Sequence, residues 1–158
     1  IKKIVSDHDG FEKFYQQDLN SSDNWGLSST VHDTSMGRMS TRDKVPCVKI
    51  DTFVLGLQLK GNERVCFIKL DVQGAESKVL QGAFEVLKYH RPIVVFEHED
   101  KFYERPSNEK LKLKEFFTSI GYKVFVISKR FPKVAFPVDW AQELEVDLIA
   151  VPICRPDM

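Results

Sequence analysis

The sequence has few of the features that identify several large classes of protein. Lys and Arg together number 23, as do Asp and Glu, so no excess of either charge is available to grip nucleic acid or to form an acidic tail. No apolar run approaches the roughly 20 residues that a membrane-spanning helix needs. The chain starts with Ile1 and shows no secretory signal pattern. We therefore expect a cytoplasmic protein without a nucleic-acid or membrane partner.

Common site motifs are also missing. The sequence contains no GxGxxG, P-loop, HExxH or GxSxG motif, which argues against the commonest nucleotide, phosphate, zinc-protease and hydrolase sites. Its three cysteines form no CxxC pair, and Cys47 and Cys66 each lie in a strand-like run. This pattern favours buried, reduced thiols over a disulfide or a metal site.

What is present predicts one globular α/β domain over residues 1–158. A chain of 158 residues with 42% hydrophobic residues can bury a proper core. Residues 1–63 are rich in strands and turns and predict hairpins or meanders. Residues 64–158 alternate between strand and helix patterns, which is typical of a parallel sheet with covering helices. The strands expected in the first part are Ile1–Val5, Phe11–Gln17 and Val45–Ile50.

Two strands and one helix form the centre of the second part. The apolar run Val65–Leu70 predicts a strand buried on both faces, and Pro92–Phe96 predicts a second strand parallel to it. Between them, residues Gly74–Tyr89 have their apolar side chains at helical spacing, which predicts one amphipathic helix.

The last part of the chain predicts a helix and an antiparallel strand pair. The helix starts at about Ser107 and stops at Gly121, with the basic run Lys110–Lys114 on a solvated face. The strands Tyr122–Ser128 and Val146–Pro152 are expected to pair antiparallel at the edge of the sheet.

Polar residues follow both predicted parallel strands, at the end where α/β sheets bind ligands. Asp71 ends the first strand, and Gly74 allows a tight turn into the helix. Glu76 lies in the first helical turn, where a capping or dipole-matching role is favoured over a catalytic one. Asp71 is open to both a structural and a catalytic interpretation, because a carboxylate that ends an apolar strand needs a partner.

The second strand ends in Glu97-His98-Glu99-Asp100. Successive side chains of an extended segment point to opposite sides, so these four residues cannot all reach one metal ion, and no metal site is predicted. Glu97 and His98 remain candidates for proton transfer or substrate contact. The other histidines, His8, His32 and His90, are interpreted as surface residues.

The segment Phe67–Glu76, with the following Val79–Ala83 and Arg91–Glu97, resembles the FkbM family of S-adenosylmethionine-dependent methyltransferases. That family has a KIDVEGAE-like strand-to-helix motif, then a vLxGA motif, then a Pro-led strand that ends in Glu. Val48–Phe53 resembles its strand and short-helix lead-in, and Ile4–Gly10 resembles its segment leaving the third strand. Gln73 stands where the family more often has Glu.

The resemblance implies a partial Rossmann-like class I methyltransferase fold. The family's sheet order is 3-2-1-4-5-7-6, and the chain is expected to contain strands 3 to 7, with strands 6 and 7 antiparallel. The Gly-rich cofactor loop after the family's first strand is not in the sequence, so we expect this chain alone to hold the cofactor poorly. Its unpaired sheet edge is expected to recruit a partner strand or form a homodimer.

The activity implied by the resemblance is methyl transfer from S-adenosyl-L-methionine to a hydroxyl of a sugar or secondary metabolite. The implied catalytic residues are Asp71, Glu97 and His98, and the implied cofactor contacts are Asp71, Gly74, Ser6 and Asp7. One alternative is a non-catalytic interaction domain that binds another protein through its sheet edge or the loops around Trp25 and Phe131. Another Rossmann-like enzyme is a weaker alternative, because no phosphate-binding loop is present.

Overall fold

The structure of the protein is a computed structural model. It describes residues 3–17, 39–103, 106–128, 135–142 and 145–153. The loops around Trp25 and Phe131, and the residues His32 and Cys154, lie outside the described residues.

The chain folds into two compact units. Unit 1 contains residues 1–58 and 72–84, and unit 2 contains residues 59–71 and 85–158. The chain therefore passes from unit 2 to unit 1 after Asp71 and returns after Phe84. The expected single domain with a division at residue 63 stays a prediction.

Unit 1 contains a three-stranded sheet in the order β1-β3-β2. Strand β1 (Ile4–Val5) is parallel to β3 (Met39–Val48), and β2 (Gly10–Gln17) is antiparallel to β3. The antiparallel pair agrees with the predicted hairpin character. Strand β3 begins well before the predicted Val45, because its pairing with β2 continues to Met39 opposite Gln17. Helix α1 (Ile50–Gly56) follows β3 directly.

The expected single helix over Gly74–Tyr89 is wrong, because the chain forms two helices, α2 (Glu76–Gln81) and α3 (Phe84–His90). Gly82 ends α2, and a Cβ atom placed on it would lie 2.1 Å from the backbone oxygen of Ser6. The Gly82 carbonyl also accepts a hydrogen bond from the Asp51 N–H at 2.9 Å. The break between α2 and α3 therefore lies where the backbone of Gly82 contacts Ser6 and Asp51. The apolar periodicity of the sequence does not indicate these contacts.

Unit 2 contains a five-stranded sheet in the order β4-β5-β8-β6-β7. Strand β4 (Phe67–Leu70) is parallel to β5 (Ile93–Glu99), as predicted. The expectation that the first of these is buried on both faces is wrong: β4 is an edge strand of the described sheet, and Phe67 is 56% exposed. Within the described residues β4 has a neighbouring strand on one side only, so it is less covered than a central strand.

The remaining strands of unit 2 are antiparallel to their neighbours. Strand β8 (Glu145–Pro152) pairs with both β5 and β6 (Tyr122–Ile127), so the predicted antiparallel pair is present. The pair is not outermost as expected, because the short strand β7 (Ala135–Pro137) lies beyond β6, while β8 lies between β5 and β6.

Helix α4 (Pro106–Ser119) covers one face of this sheet. The ring of Phe117 stacks on that of Phe96 in β5, with centroids 5.5 Å apart. Gly121 follows the helix with a φ of 71°, the left-handed conformation expected at such a stop. The buried residues of the unit 2 core include Val94, Phe96, Leu113, Phe117, Ile120, Leu148 and Ala150.

The cysteine prediction is correct in part. Cys47 and Cys66 are both free thiols, and Cys47 is buried. Cys66, however, lies just before β4 and is exposed, because the edge of the sheet does not cover it. Among the helices in the described ranges, none has the length and apolar character needed to cross a bilayer.

Candidate functional site

The carboxyl ends of β4 and β5 in unit 2 bring two of the predicted catalytic residues to one face of the sheet. Leu70 is paired with Phe96 in parallel register, so Asp71 follows on the same side as Glu97. Asp71 has a side chain 55% exposed, and its carboxylate lies 3.4 Å from the ammonium of Lys69, two residues earlier. Asp147 on β8 is the antiparallel partner of Glu97 and shares its face. This face therefore presents three carboxylates and a lysine at the end where parallel sheets bind ligands.

His98 lies on the opposite face from Glu97. Along β5 the side chains of Val94, Phe96 and His98 are buried, whereas those of Val95 and Glu97 are only partly buried. The structure therefore does not bring His98 together with Glu97, because adjacent residues of a strand point to opposite sides.

His98 belongs to a buried polar cluster instead. Its Nε2 atom lies 3.1 Å from a carboxylate oxygen of Asp100, and the other oxygen of Asp100 accepts a hydrogen bond from Lys110 Nζ at 2.8 Å. The same ammonium donates to the backbone oxygen of Gln142 at 2.7 Å. The imidazole stacks on the ring of Tyr103, with centroids 5.0 Å apart. We call His98, Asp100 and Lys110 the buried cluster.

The buried cluster corrects the prediction that residues 110–114 form a solvated basic face. Lys110 is only 5% exposed, whereas Lys112 and Lys114 are exposed as expected. A buried ammonium requires a partner of opposite charge, and Asp100 supplies it. Local sequence patterns do not indicate this pair, because ten residues and the end of a strand separate its members.

Burial lowers the pKa of His98 below its ordinary value of 6.5, although the Asp100 carboxylate acts in the opposite direction. The neutral ring donates from Nε2 to Asp100, and within the described residues Nδ1 has no hydrogen-bond partner. The side chain of His98 is shielded from solvent, since its exposed fraction is 0%. Its contact with Asp100 holds the buried cluster in place.

This burial predicts a pH dependence of stability. Below pH 6.5 the unfolded chain binds a proton at His98 that the folded chain does not bind, so the free energy of unfolding falls as the pH falls. The loss has a maximum slope of about 1.4 kcal/mol per pH unit and ends at the lowered pKa of the folded state. Urea denaturation between pH 5 and pH 7.5, values on the order of one unit either side of the ordinary pKa, measures it. The His98→Gln variant should show a flatter profile, and an equally steep one would contradict the assignment.

In unit 1, residues 72–75 form the tight turn that the sequence predicts before α2. Gln73 and Gly74 both have positive φ angles, of 47° and 85°, and the N–H of Ala75 donates to the oxygen of Val72 at 3.3 Å. The N–H of Gly74 points to a carboxylate oxygen of Glu76 at 3.3 Å. Glu76 is buried, and its contact with the turn agrees with the structural interpretation over the catalytic one.

The two other predicted cofactor contacts lie at the end of β1. Ser6 is 1% exposed, its N–H donates to the oxygen of Val48, and its hydroxyl donates to the carboxylate of Glu12. Asp7 is more accessible, with a side chain 35% exposed, and its carboxylate lies 2.7 Å from Nδ1 of His8. The hydrogen bond from His8 lowers the pKa of Asp7, so this residue is a carboxylate at neutral pH.

Glu12 and Lys78 complete the surroundings of Ser6, and the sequence analysis missed both. The ammonium of Lys78 on α2 forms an ion pair with Glu12, whose side chain is 10% exposed. The two residues are 66 positions apart, so local sequence patterns contain no trace of the pair. Together with the hydroxyl of Ser6, this pair joins α2 to β2 and fixes the backbone beside Asp7.

Comparison of the sequence with known protein families identifies the family of this chain. The Methyltransferase FkbM domain matches residues 1–124. No curated protein and no solved structure matches the chain. The matched range includes β1, the tight turn at Gly74, and the carboxyl ends of β4 and β5. The chain therefore belongs to the FkbM methyltransferase domain family.

Proposed function

We propose that the protein transfers a methyl group from S-adenosyl-L-methionine to a hydroxyl oxygen of a sugar or a secondary metabolite. The observation that carries this proposal is the pair of carboxylates, Asp71 and Glu97, on one face at the carboxyl ends of two parallel strands. Membership of a methyltransferase family supports the reaction class.

Two features of unit 1 support cofactor binding there: the charge of Asp7 and the turn at Gly74. S-adenosyl-L-methionine supplies an electrophilic methyl group on a positively charged sulfur. Asp7 offers an accessible carboxylate that suits cationic and hydroxyl groups of such a ligand. Gly74 keeps the turn free of a side chain, and a left-handed backbone at this place suits glycine. The hydroxyl of Ser6 is already bonded to Glu12, so Ser6 positions Asp7 through the backbone.

In unit 2, Asp71 is the proposed general base. Its exposed carboxylate can accept the hydrogen bond of an acceptor hydroxyl and take the proton as the new oxygen–methyl bond forms. Glu97 lies on the same face and is the proposed second carboxylate, which orients the acceptor. The buried cluster gives His98 a positioning role, because it holds the end of β5 on which Glu97 lies.

The finer correspondence with the family's fold is also a proposal. The order β4-β5-β8-β6, with only β4 and β5 parallel, has the pattern of strands 4-5-7-6 of the Rossmann-like methyltransferase sheet. Strand β1 would then be strand 3, and the chain would represent the C-terminal part of the family's domain. A cytoplasmic location agrees with the free thiols of Cys47 and Cys66. Pairing through the outer edge of β4, with a second copy or another strand, stays a prediction.

The test of the proposed base is Asp71→Asn in the full-length protein. The amide keeps the size of the side chain but cannot take a proton, so turnover should fall by about 10²–10⁴-fold. Stability should change by less than about 0.5 kcal/mol, because the residue is exposed. Transfer of an isotopically labelled methyl group to a panel of sugars and hydroxylated metabolites measures the first, and urea denaturation the second.

Asp139→Asn is the matched control, since it makes the same exchange at an exposed residue in another loop of unit 2. Unchanged turnover in Asp71→Asn would remove Asp71 from the mechanism. If the full-length protein neither binds S-adenosyl-L-methionine in a calorimetric titration nor transfers the label, the interaction-domain alternative replaces the enzyme.

A further inference from the structure

Three side chains of unit 1 that can ligate metals lie together beside the turn between β1 and β2. The ligand atoms of His8, Glu12 and Cys47 all lie within 4.8 Å of one another. Cys47 is 39 positions from His8 along the chain and reaches it because Gly10 is the partner of Cys47 in the antiparallel pairing of β2 and β3. From the sequence, His8 is predicted to be a surface residue and Cys47 a core thiol, because only the fold brings them together.

The pairing also explains why the carboxylate faces the thiol. Gly10 and Glu12 are two residues apart on β2, and their partners on β3 are Cys47 and Val45. Opposite residues of an antiparallel pair share a face, so Glu12 and Cys47 lie on the same side of the sheet. Gly10 has no side chain to separate them, and a Cβ atom on it would find no atom within 4 Å.

Thiolate, imidazole and carboxylate together form a donor set that zinc prefers. We propose that His8, Glu12 and Cys47 bind a divalent transition-metal ion, with zinc as the first candidate. Three protein ligands leave the fourth tetrahedral position to water. Ligand atoms around zinc are about 3.5 Å apart, so closure needs movements of about 1 Å, and the exposed ring of His8 can supply them. The thiol proton of Cys47 passes to solvent on binding.

A second contact supports the proposal. The Nδ1 atom of His8 is 2.7 Å from the carboxylate of Asp7, which leaves Nε2 as the metal ligand. Histidines that bind metals usually donate their other ring N–H to such a carboxylate, which fixes the tautomer and raises the basicity of the ligand. The present contact of Nε2 with the Phe11 oxygen is 3.4 Å long and is easily given up.

Without metal, the positive charge beside Glu12 comes from Lys78. Its ammonium is paired with one oxygen of Glu12, and its side chain is 43% exposed, so it can move to solvent when a metal takes its place. Lysine and metal therefore compete for the same carboxylate. This competition gives the site an unusual property: removing Lys78 should strengthen metal binding.

The test is zinc binding to the purified protein, measured by competition with a chromophoric chelator. We expect one zinc ion per chain, and cobalt in its place should show thiolate-to-metal charge-transfer absorption. Asp7→Asn should weaken binding by about 10–100-fold, His8→Asn and Cys47→Ser should weaken it at least as much, and Lys78→Met should tighten it.

Cys66→Ser is the control for non-specific thiol binding, because Cys66 is exposed and lies in unit 2. If Cys47→Ser fails to fold, His8→Asn decides, since His8 is on the surface. The proposal is wrong if the protein binds no zinc, if His8→Asn binds it as the parent does, or if Cys66→Ser removes the cobalt absorption. None of these readouts depends on methyl transfer, so the site stands or falls separately from the proposed enzyme activity.

Discussion

Replacing Gly82 with alanine is expected to lower the free energy of unfolding by about 3 kcal/mol. The added Cβ would lie 2.1 Å from the backbone oxygen of Ser6 and 3.2 Å from the Cα of Asp7. Both are main-chain atoms of unit 1, so no side chain can rotate away to relieve the overlap. The backbone must move, and the hydrogen bond from Asp51 to the Gly82 oxygen moves with it.

Gly56→Ala is the matched control for this prediction. Gly56 is the last residue of α1, and a Cβ atom there would meet nothing within 4 Å. Alanine loses less backbone entropy than glycine on folding, so this variant should gain up to about 1 kcal/mol. Urea denaturation of both variants measures the difference. Equal stabilities would mean that residues 6 and 82 do not approach as closely as the structure indicates.

Replacing Lys110 with methionine is expected to lower the free energy of unfolding by about 3–5 kcal/mol, because it leaves the carboxylate of Asp100 buried without its ammonium partner. The side chain of Asp100 is 9% exposed, so water cannot fully replace the lost charge. Chemical denaturation at pH 7 measures the loss.

Two further variants separate the charge from the shape of the side chain. Lys112→Met makes the same change on the same helix at an exposed position and should alter stability by less than about 0.5 kcal/mol. The double variant Asp100→Asn/Lys110→Met removes both charges but keeps an amide oxygen for His98, so it should recover much of the loss. A double variant no more stable than Lys110→Met would show that packing around the lysine, and not its charge, determines the result.

Local patterns predicted the elements whose contacts are close in the chain. The parallel pair of β4 and β5, helix α4 with its stop at Gly121, and the antiparallel pair of β6 and β8 all follow from periodicity and turn residues. The tight turn at Gly74 and its closure by Glu76 follow from the same signals.

Two of the errors involve contacts between residues that are distant in the chain. Gly82 lies in an apolar pattern that continues without interruption, whereas in the fold its backbone approaches Ser6 at the break between α2 and α3. Lys110 belongs to a basic run, and only Asp100 explains its burial. The same limit applies to the site: Asp71 and Glu97 were predicted from the ends of strands, whereas the ion pair of Glu12 with Lys78 joins residues 66 positions apart and became visible only in the fold.

The position of β8 has a consequence for how unit 2 is made during protein synthesis. Residues 145–152 form the strand between β5 and β6, although they leave the ribosome after both of these strands. Until they emerge, β5 and β6 each lack the neighbour that separates them in the finished sheet, and such exposed edges attract chaperones or other nascent chains. The middle of the unit 2 sheet is therefore filled only after the strands on both sides of it have been synthesised.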